Sequence, residues 1–88
     1  MKLTATISNE KGLHARASAK FVEVVEAHDA DATVSKDGLD VPGNSIMGLM
    51  MLGASKGSSL EIETSGPEAE KLASALRYLI DDKFGEGR

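Results

Sequence analysis

In residues 2–8 and again in residues 60–65, side chains alternate in type from one position to the next. Leu3, Ala5 and Ile7 are interleaved with Lys2, Thr4, Thr6 and Ser8, and Leu60, Ile62 and Thr64 with Glu61, Glu63 and Ser65. Successive side chains of a strand point to opposite faces, so runs of this kind make strands with one face to bury and one to solvate. Ala32 and Val34, then Leu39 and Val41, repeat the pattern around Asp37-Gly38, a pair suited to the positive φ angles of a tight hairpin turn. No strand is strongly apolar on both faces. Helices must therefore cover one side of the sheet while water covers the other.

Between the strands the apolar spacing changes to that of a helix. Ala17, Phe21, Val24 and Val25 share one side, with Arg16, Lys20, Glu23 and Glu26 on the other, which predicts an amphipathic helix starting near His14. Ser45 precedes the run Ile46-Met47-Gly48-Leu49-Met50-Met51-Leu52 and Gly53 closes it, the start and stop signals of a short helix. Pro67 suits a first helical turn, where its missing N–H costs nothing. Ala69, Leu72, Ala73, Leu76, Leu79 and Ile80 follow at helical spacing. The order is β-α-β-β-α-β-α, an α/β chain of the α+β kind. Its first strand is expected to run to about Ser8, and its tail, from about Gly85, to fray.

With 88 residues, 41% of them hydrophobic, the chain supports one core and so one domain over residues 1–88. A net charge of −4, two Phe, one Tyr and no Trp argue against nucleic acid, which needs a basic face or stacking rings. The lack of cysteine removes disulfides, thiolate nucleophiles and zinc–thiolate clusters, and two histidines alone do not make a metal centre. No metal and no cofactor are expected. The opening MKLTATISNEKG has no apolar signal-peptide core, and Ile46–Leu52 is far shorter than the roughly 18 residues of a membrane span. A cytoplasmic monomer is the expectation.

The chemistry concentrates in Gly12-Leu13-His14-Ala15-Arg16, at the junction of the first loop and the first helix. Unpaired backbone N–H groups point outward at such a junction and attract a phosphate. The same dipole favours a neutral imidazole, whose lone pair can attack phosphorus, and Arg16 can present a planar fork of donors to phosphoryl oxygens. The competing reading of these residues makes His14 a capping or surface histidine. His28, in Ala27-His28-Asp29, has no such neighbours and reads as a favourable helix C-terminal residue.

Gly12-Leu13-His14-Ala15-Arg16, followed about thirty residues later by Ser45-Ile46-Met47-Gly48-Leu49-Met50, resembles the histidine-containing phosphocarrier (HPr) family of the bacterial phosphoenolpyruvate-dependent phosphotransferase system. The likeness runs from Leu3 to about Ile80. It implies an open-faced two-layer sandwich, with four antiparallel strands in the order 1-4-2-3 and three helices on one face. It implies that His14 accepts a phosphoryl group on Nδ1 from enzyme I and passes it to an EIIA-type acceptor, with Arg16 as phosphate clamp. The chain would then be a carrier and not an enzyme. Ser45, read from the residues alone as a helix N-cap, is by resemblance also a regulatory phosphorylation site, served by a serine kinase and phosphatase in bacteria that have them. Ala17 stands where the family usually has Pro, and Glu23 and Glu26 flank Lys20. Both departures resemble Gram-negative members of the regulatory, nitrogen-branch type.

The short helix is apolar nearly all round, so a single turn or two cannot bury every side chain against the sheet. Some of Ile46, Met47, Met50 and Met51 should face water, where flexible thioethers suit docking to several partners, with Ala19 small enough to let a partner close in. The alternative function is a non-catalytic docking module that answers only to Ser45 phosphorylation. An α/β-plait small-molecule sensor shares much of the element order but explains neither His14-Ala15-Arg16 nor the Met cluster.

Overall fold

The computed structural model describes residues Met1–Arg88. Its elements are β1 (Lys2–Thr6), α1 (Ala15–Glu26), β2 (Asp31–Lys36), β3 (Leu39–Pro42), α2 (Ile46–Met51), β4 (Ser59–Ser65) and α3 (Ala69–Asp81), followed by a 3-10 turn at Lys83–Gly85. The sheet is antiparallel throughout, in the order β1-β4-β2-β3. The three helices cover one face and leave the other open, so the expected open-faced sandwich and strand order are those of the molecule.

Strand register sorts the side chains as the alternation requires. Leu3 lies opposite Ile62, Ile62 opposite Val34, and Val34 opposite Val41, one apolar row crossing all four strands on the helix side. The neighbouring row, Thr4, Glu61, Ser35 and Asp40, faces away from the helices. A one-residue slip would exchange the two rows, which is why the register is strongly specified. Phe21, Leu49, Leu72, Leu76 and Ile80 descend from the helices onto the apolar row and are fully buried. Each such side chain contributes about 1.5–3 kcal/mol of burial free energy. The turn joining β2 to β3 has φ of 50° at Asp37 and 83° at Gly38, the left-handed pair that matches a twisted two-residue hairpin.

Two boundaries differ from the expectation. β1 ends at Thr6 and not Ser8, because beyond it Ile7 pairs with a loop: its N–H donates to Ser58 O at 2.8 Å and its carbonyl accepts from Gly57 N at 2.8 Å. α3 starts at Ala69, with Pro67 outside it, because Glu68 takes the N-cap position at φ −108° and donates its N–H to Asp29 O at 3.0 Å.

The tail is the main difference. The residues from about Gly85, expected to fray, are held by hydrogen bonds. Phe84 is 1% exposed, Lys20 Nζ donates to Phe84 O at 2.6 Å, and Glu10 N donates to Arg88 O at 3.2 Å. Burial of the aromatic ring together with these hydrogen bonds offsets the left-handed backbone that seats it, φ 55° at both Lys83 and Phe84.

Candidate functional site

Gly12 sets the approach to α1. Its φ is +65°, and a Cβ there would stand 2.3 Å from Ala54 O, so only glycine lets the loop lie this close to the segment after α2. Buried Leu13 then donates its N–H to Ala54 O at 2.9 Å and pins the loop to the core. His14 follows as the N-cap of α1 with extended backbone, φ −77° and ψ −179°, and its side chain does not cap the helix. The N–H groups of Ala15, Arg16 and Ala17 consequently have no partner in the protein. These are the donors that carry the positive end of the helix dipole.

The imidazole turns instead to the chain terminus. Its Nε2 pairs with Oε2 of Glu86, and Oε1 of the same carboxylate accepts from Asn9 Nδ2 at 2.9 Å. Asn9, fully buried, also donates Nδ2 to Gly12 O at 2.9 Å, so one amide braces both the loop and the tail. Facing a carboxylate, Nε2 is assigned the ring proton. Nδ1 makes no hydrogen bond within the protein and is not sequestered from solvent. Burial works against the charge of Glu86, but the hydrogen bonds from Asn9 and His14, with Lys11 nearby, outweigh it and hold the carboxyl below its usual value.

Around this pair lies an open depression of about 450 Å³ lined by Glu10, Lys11, His14, Arg16, Lys20, Gly85, Glu86 and Arg88. Four cationic side chains stand there against two acidic ones, although the chain as a whole carries −4. Charge of this kind attracts anions to one spot on a protein that elsewhere repels them.

Ser45 is the N-cap of α2, and its Oγ accepts from Gly48 N at 3.0 Å. α2 buries Leu49 and leaves Ile46, Met47, Met50 and Met51 exposed, Met47 at 74%. The helix packs against α1, on which Ala19 is half-buried and Arg16 exposed. His14 and Arg16 thus share one depression, and the Met-rich helix lies against the helix they start. His28 stands apart: its Nδ1 donates to Val24 O at 2.7 Å and closes the last turn of α1. Sequence reasoning missed Glu86 and Asn9. The available signal was Phe84, one of only two Phe in the chain, since a lone aromatic in a polar tail must find a place to be buried.

Comparison with known proteins agrees with this fold. Residues 1–82 match the family model described as PTS HPr component phosphorylation site. The phosphocarrier protein HPr of Neisseria meningitidis is 45% identical, covering 99% of this chain and 98% of its own. The phosphocarrier protein NPr of Escherichia coli K12 is 34% identical over 98% and 97% of the two chains. The crystal structure of HPr-C-His from Thermoanaerobacter tengcongensis superposes with a TM-score of 0.93 at 40% identity, covering 98% of this chain and 97% of that one. With fold, family model and relatives in agreement over nearly the whole length, the chain belongs to the HPr phosphocarrier family of the phosphotransferase system.

Proposed function

We propose that the protein carries a phosphoryl group on Nδ1 of His14, accepting it from enzyme I and passing it to an EIIA-type acceptor. The observation that carries this reading is the state of the ring: Nε2 is engaged by Glu86 while Nδ1 is unbonded and open, at the uncapped start of α1. A neutral ring protonated on Nε2 has its lone pair on Nδ1, the atom needed for in-line attack on phosphorus. The free N–H groups of the first turn and the Arg16 guanidinium supply donors for phosphoryl oxygens. A carrier must surrender its phosphate to the next protein, which suits an open depression better than an enclosed cleft. Residues 1–88 act as one unit in this reading, a cytoplasmic monomer without cofactor.

Ile46, Met47 and Met50 form the docking surface beside the ring, with Ala19 permitting close approach. Ser45 serves as N-cap and as a regulatory site for a serine kinase. A phosphate on it would place about −1.5 to −2 charges beside the apolar patch.

The test is incubation with phosphoenolpyruvate and purified enzyme I. Label that is lost in acid, kept in alkali and absent from a folded His14→Ala variant is the expected result. Absence of label from the wild type would favour the docking module controlled by Ser45 alone, and a labelled His14→Ala protein would place the phosphate elsewhere.

A further inference from the structure

Glu86 is separated from His14 by 72 positions in sequence, yet both its carboxylate oxygens are committed at the site. Oε2 takes the imidazole Nε2, and Oε1 takes the Asn9 amide at 2.9 Å. Its side chain is 15% exposed against 27% for His14, so the pair is partly shielded from water. The segment that delivers it is held on both sides, by buried Phe84 with the Lys20 bond to its carbonyl, and by the Glu10 bond to Arg88 O. Asn9 uses both its amide protons on Gly12 O and Glu86, and leaves its own Oδ1 without a partner. An unsatisfied buried oxygen is a cost, and what it secures is the direction in which the Glu86 carboxylate points.

Resting on the phosphocarrier reading, we propose that Glu86 is a positioning residue for phosphoryl transfer. It keeps the ring proton on Nε2, so that Nδ1 is the only nucleophilic nitrogen, and it neutralises the ring while Nδ1 carries the phosphate. When the Nδ1 lone pair attacks the donor, an N–P bond forms, the bond from phosphorus to the donor breaks, and its electron pair leaves with the donor. The ring, still protonated on Nε2, becomes a phosphoimidazolium, and its positive charge faces the carboxylate. When the acceptor attacks phosphorus, the N–P electron pair returns to Nδ1 and regenerates the neutral ring. The proton never has to leave Nε2. A carboxylate that orients a histidine and stabilises its cation is the arrangement of acyl-transfer triads, here turned to a nitrogen nucleophile. The other charged groups lining the depression around the pair are Lys11, Arg16, Lys20 and Arg88, with Glu10 as the other carboxylate.

Glu86→Ala and Glu86→Gln distinguish this role from simple tethering of the tail, with Phe84 left in place to keep the tail seated. In the wild type, 15N-resolved NMR of His14 should show a protonated Nε2 with a slowly exchanging proton, in both the free and the phosphorylated protein. Both variants should lose that slow proton. Transfer from enzyme I and onward to the acceptor should slow by at least about tenfold in Glu86→Ala, as expected when an orienting carboxylate is removed from a catalytic histidine. A wild-type ring protonated on Nδ1 would overturn the proposal. So would labelled wild type alongside a Glu86→Ala protein with unchanged ring signals and rates, an outcome that leaves the carrier reading standing. No label on any form overturns the carrier reading, and this role with it.

Discussion

The starts of α1 and α2 occupy the same position in helix geometry and are built in opposite ways. Ser45 spends its side chain on its own helix, closing the first turn of α2 through Gly48 N. His14 leaves its helix uncapped and turns its ring to Glu86, at the far end of the chain. One start has a first-turn donor, Gly48 N–H, closed by its own cap and an apolar surface beyond it; the other has no side-chain cap at all and a braced polar network behind it. The contrast separates two demands on a carrier. Chemistry needs one nitrogen held in one orientation, and fixed polar partners supply that. Recognition of more than one protein, as proposed for this carrier, would use a surface that can repack, and Met47, Met50 and Met51 stand exposed on a helix anchored chiefly by Leu49.

Removing the brace is the severest way to break the comparison. Phe84→Ala deletes a buried ring and is expected to cost about 3 kcal/mol in chemical denaturation, near the low end for such a truncation because the left-handed backbone at Lys83 and Phe84 can relax once the ring is gone. The tail should then detach, and the amide signals of Asn9, Gly12 and His14 should broaden while those of α2 stay in place. A loss below about 1 kcal/mol would mean that the tail contributes little to the native state.

The other side of the comparison is tested at the surface. Met47→Lys should slow both phosphoryl exchanges by about tenfold, equivalent to roughly 1.4 kcal/mol of docking free energy. Its melting temperature should barely change, because Met47 is 74% exposed. Loss of folding would make Met47 a core residue. A shift of the open-face residues Thr4 and Thr33 on titration with enzyme I would move the docking surface to the sheet.

These two sites were not equally legible. Local periodicity was enough to read the element order, the Asp37-Gly38 turn and the exposure on α2, because each depends on residues within a few positions of one another. The strand order came from the family resemblance alone, since alternation says which face of a strand is buried and not which strand lies beside it. Glu86 was invisible for the same reason: a contact across 72 positions leaves no trace in spacing. Gly85 and Gly87 made the tail look loose, and Phe84 overrode them by burial. The boundary shifts at Ser8 and Pro67 arose where tertiary hydrogen bonds, from Ile7 to Ser58, from Gly57 to Ile7 and from Glu68 to Asp29, replaced those of the regular element.

The smallest expected effect compares the two N-caps directly. Ser45→Ala leaves Gly48 N–H without its acceptor and should cost about 1 kcal/mol. Ser45→Asp keeps an oxygen in the same place and puts a negative charge at a helix N-terminus, so its stability should stay within about 0.5 kcal/mol of the wild type. That same charge borders Met47, and transfer from enzyme I should slow in Ser45→Asp even though the fold is intact. At the other N-cap the order reverses. His14→Ala removes no helix cap and should leave α1 as stable as before, while all transfer through the ring is lost. If Ser45→Ala and Ser45→Asp prove equally stable, the bond to Gly48 is not what starts α2. If Ser45→Asp transfers at the wild-type rate, the serine is a structural cap without a regulatory part.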